Sequence, residues 1–192
     1  LHGWSGLLGD LETRRSRARS MGGPEKLERL AARGALNARE RIACLLDPGS
    51  FRELGTLVGA VGEQAPADAF PAGLGTVDGR PVLVGAEDFT VMGGSIGLGA
   101  ADKRYRLTQL ARQEGVPLVF MLHGAGHRVT NALHGHGRTP NDLQGLVDLS
   151  GRVPTVCLVL GPSAGHSALA APLMDYVVMT RGAALFSAGP PL

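Results

Sequence analysis

One short unit is written twice in this chain. VPLVFMLHGAGH (116–127) and VPTVCLVLGPSAGH (153–166) each run Val-Pro, a continuous apolar strand, a glycine turn and a histidine. Apolar runs without alternation fit strands buried on both faces, and the polar, helix-patterned segments around them supply crossovers. The repeat therefore predicts an α/β architecture in which glycine turns at the ends of neighbouring strands form the site. Pro117 and Pro154 sit at the two strand entrances, where a missing N–H costs least.

The remaining segments fit that frame. Residues up to about Asp47 read as helices: PEKLERLAARG closes at Gly34, and Asn37 with Glu40 three residues on has capping-box spacing before Pro48 and Gly49. GLGTV and RPVLVGAE flank Asp78-Gly79, a dipeptide suited to a type I′ hairpin turn, and residues 59–71 read as a loop. GLGAADKRYRLTQLARQEG has Leu107, Leu110 and Ala111 at helical spacing and is closed by Gly115. NDLQGLVDLSG predicts a helix, and YVVMT and AALFS predict final strands joined by Arg181-Gly182.

Composition excludes several classes. A formal net charge of +2, from 19 basic and 17 acidic residues, gives no broad field for nucleic acid. The basic residues from Arg14 to Arg19 suit a phosphate-bearing ligand or, more simply, a solvated helix face. Cys44 and Cys157 lie among apolar neighbours and build neither a disulfide framework nor a zinc site, which fits a reducing compartment. No secretory leader and no apolar run of about 20 residues is seen, so the expected location is cytoplasmic, with no membrane partner. Twenty-nine glycines and 4% aromatics indicate that backbone geometry matters more than side-chain bulk.

Two readings of GPSAG compete. G-x-S-x-G between a strand and a helix suits a nucleophile elbow, which would make Ser163 the nucleophile of an α/β-hydrolase-type serine esterase, with HGAG as its oxyanion loop. That triad runs Ser, acid, His along the chain, yet after Ser163 the one histidine is His166, on the same turn, and Asp175 has no later histidine to orient. The second reading needs only the backbone. Glycine turns leading into helices leave N–H groups unpaired, ready for a developing negative charge, and two turns on neighbouring strands can hold one oxygen. It uses both copies of the repeat.

His123, His127, His134, His136 and His166 match no closed ligand set by spacing, so no metal is expected; His134 and His136 read as solvent-facing. In DFTVMGGSIG, Gly93 and Gly94 either turn a strand into a helix or approach a phosphate.

GALNARERIACLLDPGSFRELG, GLGTVDGRPVLVGAEDFTVMGGSIG and LGPSAGHSALAAPLMDYVVM, followed by GP, carry a resemblance in their order and spacing. From about Leu30 to Pro190 the chain resembles the amino-terminal half of the carboxyltransferase (β) subunit of biotin-dependent acyl-CoA carboxylases, the propionyl-CoA or methylcrotonyl-CoA type. The resemblance implies a crotonase-like spiral of β-β-α units: an N-terminal helical segment, 1–50, then an acyl-CoA-binding domain, 51–192, incomplete at its C-terminal end. It implies acyl-CoA as substrate and biotin as cofactor, carried as carboxybiotin on a separate biotin carboxylase or carrier subunit. It also implies a dimer-built homo-oligomer, arranged as a hexamer. In the mechanism so implied, carboxybiotin releases carbon dioxide, its ureido nitrogen takes the α-proton, and the enolate attacks the carbon dioxide. Backbone amides of Gly124, Ala125 and Gly126 on the first turn and of Gly165 and His166 on the second would hold the enolate oxygen. Asp88, Phe89, Thr90, Gly93, Gly94 and Ser95 would shape the CoA-side wall.

The chain departs from that pattern at three places. The first turn reads HGAGH where the family commonly has Ser-Gly-Gly-Ala-Arg, and His166 stands where the family has a glycine, which crowds the acyl pocket. No four-cysteine ribbon is present, unlike the bacterial acetyl-CoA carboxylase β subunit, so substrates beyond acetyl-CoA are favoured. The chain also stops at Leu192, so it is expected to be part of a longer protein and inactive alone. A non-catalytic crotonase-like assembly module is the remaining alternative.

Overall fold

The computed structural model describes residues 3–59, 65–133 and 141–188. Three helices come first, α1 (Trp4–Arg19), α2 (Pro24–Ala31) and α3 (Ala38–Leu45). α2 starts on Pro24, whose missing N–H is one the first turn could not have used. α3 has the expected reciprocal cap: the Asn37 side chain accepts from the Arg39 and Glu40 amides at 3.0 Å, and Glu40 accepts the Asn37 N–H at 2.8 Å.

The strands are β1 (Arg52–Leu54), β2 (Ala72–Val77), β3 (Arg80–Ala86), β4 (Leu118–Leu122), β5 (Thr155–Val159), β6 (Pro162–Ala164), β7 (Tyr176–Met179) and β8 (Ala184–Phe186). Six of them form one sheet in the order β1-β2-β3-β4-β5-β7, and β6 pairs with β8 in a second. β2 and β3 form the expected antiparallel hairpin, with Asp78 and Gly79 both at positive φ (+50° and +74°), as a type I′ turn requires. Asp47 accepts the amides of both turn residues at 3.0 and 2.9 Å, tying the end of the helical segment to the hairpin.

β3, β4, β5 and β7 run parallel, linked by crossovers that include α4 (Leu98–Glu114) and α5 (Asp142–Leu149); a short α6 (His166–Ala170) follows β6. Along β4, Leu118, Phe120 and Leu122 enter a core with Phe70, Leu107, Leu146 and Leu149, whereas Val119 and Met121 face Ile42, Leu46 and Val84 on the other side. The strand is buried on both faces, which is why its sequence does not alternate. β4 and β5 are neighbours, so the two glycine turns leave the sheet side by side. YVVMT and AALFS are the final two strands, as expected, and they lie in different sheets, β8 running parallel to β6. No helix among the described residues is long and apolar enough to cross a membrane.

The described part of the 59–71 loop holds a left-handed turn, with Ala67, Asp68 and Ala69 at φ +49°, +46° and +55°. Such φ values strain residues other than glycine and persist only where the surroundings impose them. Here the Lys103 ammonium, pushed down to about 8 by burial, donates to the Ala67 and Phe70 carbonyls. Asp68 accepts the Ala100 amide at 2.6 Å, capping α4, and pairs with Arg128 at 2.7 Å. Breaking a buried ion pair from one side costs about 3 to 5 kcal/mol. Asp68→Ala should lower the unfolding free energy by about that much in urea titration, and a loss under about 1 kcal/mol would show that the turn is held by other means.

Candidate active site

Each repeated unit ends in a turn that needs glycine. After β4 the chain runs His123-Gly124-Ala125-Gly126-His127, and after β6 it reaches Gly165, with Gly126 at φ +80° and Gly165 at φ +56°. The Ala164 amide donates to the Gly124 carbonyl at 3.0 Å, and a Cβ on Gly126 would lie 2.6 Å from the Ala164 oxygen and 3.5 Å from the Gly165 Cα. The turns therefore touch through bare backbone, with no room for a Cβ at Gly126, whereas one on Gly165 would lie 4.0 Å from the Gly126 Cα.

Accounting for the amides separates the expected donors into two groups. The Ala125 N–H donates to the Gly93 carbonyl at 3.0 Å and the Gly165 N–H to the Phe186 carbonyl at 2.9 Å, so both are engaged in the fold. Among the turn and loop hydrogen bonds of the described residues, the Gly124, Gly126 and His166 amides donate to no backbone acceptor.

Beneath the turns lies a buried polar network that sequence reasoning missed. Arg104 of α4 is fully buried; its Nη1 reaches Glu87 at 3.1 Å and its Nε reaches Asp142 at 2.6 Å, with the guanidinium over the Phe120 ring at 4.8 Å. Glu87 also accepts the Ser167 hydroxyl at 2.6 Å and the His123 amide at 2.8 Å. His166 Nε2 donates to Asp142 at 2.5 Å, because an ionised carboxylate only accepts. Burial alone would raise the Asp142 carboxyl, but Arg104 and His166 more than offset it and hold it well below the usual carboxylate range. Burial pushes Glu87 up despite Arg104. The signal for Arg104 was legible in principle: it occupies the face of α4 shared by Ala100, Ala101, Leu107 and Ala111, where a charged residue needs a buried partner.

The 88–95 loop packs directly on the first turn. Asp88 accepts the Thr90 amide and hydroxyl, Phe89 is exposed and stacks on the His123 ring at 4.4 Å, and Gly93 takes the Ala125 amide. A Cβ on Gly94 would lie 3.0 Å from the Gly124 Cα, and Ser95 meets Arg128 Nε at 3.2 Å. All six wall residues expected from sequence thus belong to one loop beside the turns. Next to it, a cavity of about 210 Å³ is lined by Lys26, Arg29, Leu30, Arg33, Phe89 and Thr90, and another of about 260 Å³ by Arg17, Lys26 and Met92 among others. The basic residues of α1 form a cluster that stands out in the sequence, whereas those of α2 are dispersed.

Ser163 is fully buried and its hydroxyl has no hydrogen-bond partner among the described residues, the opposite of an exposed, base-activated nucleophile. Asp175 accepts the Thr155 amide at 2.8 Å and its hydroxyl at 2.9 Å, a structural role. His127 lies edge-on to His166 at 4.4 Å, and no group of three or more His, Cys, Asp or Glu among the described residues could hold a metal ion. His134 and His136 lie outside the described residues.

His123 carries a pH dependence. Burial, then the Arg41 guanidinium 3.2 Å from Nδ1, pushes its pKa from 6.5 down to about 4. Between those values the unfolded chain binds a proton that the folded chain refuses, so stability falls as pH falls through the window. Unfolding free energy should drop by about 3 kcal/mol from pH 6.5 to 4 on this account, and His123→Asn, which keeps an acceptor for Arg41, should remove that part. An unchanged slope in the variant would contradict it.

The carboxyl transferase domain family matches residues 29–192. The methylmalonyl-CoA carboxyltransferase 12S subunit of Propionibacterium freudenreichii subsp. shermanii is 35% identical, covering 96% of this chain and 37% of its own length. The propionyl-CoA carboxylase beta chain of Cereibacter sphaeroides is 33% identical over 96% of this chain and 38% of its own. Among solved structures, transcarboxylase 12S with hydrolysed methylmalonyl-CoA bound superposes at a TM-score of 0.85, with 33% identity over 100% of this chain and 38% of that one. The chain thus spans little more than a third of the length of these relatives, and its mixed α/β fold is that of the crotonase-like carboxyltransferases. It belongs to the carboxyl transferase domain family.

Proposed function

We propose that the protein transfers a carboxyl group from carboxybiotin to the α-carbon of an acyl-CoA, and that the Gly126 and His166 amides hold the thioester oxygen as it becomes an enolate. The observation that carries this reading is the backbone contact between the two turns, with amides on both of its sides that donate to no backbone acceptor among the described residues. An enolate concentrates charge on oxygen, and fixed N–H donors aimed at developing charge are the largest help a protein gives such a step. α6 has only five residues, so the amides themselves matter more than a helix dipole.

The cavities beside Phe89 suit the other end of the substrate. Lys26, Arg29 and Arg33 offer cations for phosphates, and the exposed Phe89 ring offers a flat apolar face for a purine. Carboxybiotin, on a separate carrier, supplies the carboxyl group and the base for the α-proton. No residue of this chain is assigned to it; the exposed Ala125 and His127 leave the outer side of the turns open for its approach. The relatives' names favour propionyl-CoA or methylmalonyl-CoA as the substrate class, and the hexamer described for transcarboxylase 12S favours a dimer-built oligomer here.

The test is transfer of labelled carboxyl from a carboxylated biotin carrier to short acyl-CoAs by the intact protein. Proline suits the first helical position, so His166→Pro deletes one N–H with little change of backbone. It should turn over about a hundredfold more slowly than His166→Ala, and equal rates would overturn the amide assignment. Ser163→Ala should keep its rate within about twofold, because an unactivated buried hydroxyl contributes no chemistry. No transfer at any acyl chain length would favour a non-catalytic module.

A further inference from the structure

We propose that the His166 side chain is a positioning residue, which fixes its own amide opposite the first turn by anchoring to Asp142. The proposal rests on the acyl-oxygen reading of the turns. His166 Nε2 donates to Asp142 at 2.5 Å, Asp142 takes Arg104 Nε at 2.6 Å, Arg104 Nη1 reaches Glu87 at 3.1 Å, and Glu87 accepts the Ser167 hydroxyl at 2.6 Å. Because 166 and 167 are consecutive, these contacts close a ring around the second turn. The first turn hangs from the same Glu87 through the His123 amide at 2.8 Å. Both turns thus share one buried anchor, and the His166 arm carries the restraint from α5 across to the amide.

The anchor is rigid for physical reasons. Glu87, Arg104, Asp142 and Ser167 are each 1% exposed or less, so any excursion would strand a polar or charged group away from water. The His166 side chain is 21% exposed and would otherwise be free to rotate. Its ring also bears on the edge of His127, 4.4 Å away, which joins the two turns on their outer side. With its Nε2–H engaged by Asp142, the imidazole acts through the backbone it holds.

A positioning role separates ground-state binding from recognition of the charged oxygen, which a general loss of structure would not. Calorimetric titration of the intact protein with propionyl-CoA and with nitroethyl-CoA, whose nitronate mimics the enolate, reads both. His166→Ala should weaken nitroethyl-CoA binding about tenfold while propionyl-CoA changes less than about twofold. His166→Gln, whose side-chain amide can still donate to Asp142, should recover most of the loss. Equal affinity in wild type and His166→Ala for both compounds would overturn the proposal, as would parallel losses for both compounds in both variants. If wild type bound neither compound, the acyl-oxygen reading itself would fall. Should the variants not fold, the ring nitrogens of wild-type His166 decide by ¹⁵N NMR: a protonated Nε2 supports the anchor, and a bare Nε2 refutes it.

Discussion

Arg104 is the constraint on which the site is built. A guanidinium with no exposed surface has given up its hydration, and that loss is tolerable only with carboxylates in good geometry around it. Glu87 at the end of β3 and Asp142 at the start of α5 supply them, so one charge fixes the relation of a strand, a crossover helix and the next crossover. Removing either partner would leave a guanidinium N–H of Arg104 without its acceptor in the core, and the three elements have little freedom to drift apart.

From that anchor the rest follows outward. Glu87 also takes the His123 amide and the Ser167 hydroxyl, so the turns after β4 and β6 are positioned by the same carboxylate. Their glycines then let backbone meet backbone, and the 88–95 loop closes against the first turn through Gly93 and Gly94. The proposed site is made of main-chain groups whose places are set by buried side chains beneath.

Much of this was legible in the sequence because local chemistry agreed with the tertiary outcome. The Asn37 cap, the Asp78-Gly79 turn, the Gly115 helix end and the two apolar strands each carry a short-range signal that packing did not override. β8 was different: nothing local distinguishes a partner for AALFS, and its pairing with β6 is decided by long-range geometry. The site divides similarly. The repeated glycine turns are legible as loops that meet, but which of their amides are engaged depends on Gly93 and Phe186, carbonyls distant in sequence that take the Ala125 and Gly165 N–H groups. The pairing of Arg104 with Asp142 is not legible, because an ion pair between two helices has no fixed spacing. The buried Ser163 resolves the opposite way, since its motif imitates a nucleophile elbow while its hydroxyl faces the interior.

The central claim is that main-chain N–H groups on both turns hold the thioester oxygen. The vibrational spectrum of bound propionyl-CoA, labelled with ¹³C at the thioester carbonyl, reads that bond directly. Two amide donors should lower the C=O stretching frequency relative to free ligand, and substituting His166 by proline should reverse part of the shift. A bound carbonyl that absorbs where it does in water, or a shift untouched by loss of the residue 166 amide, would contradict the account.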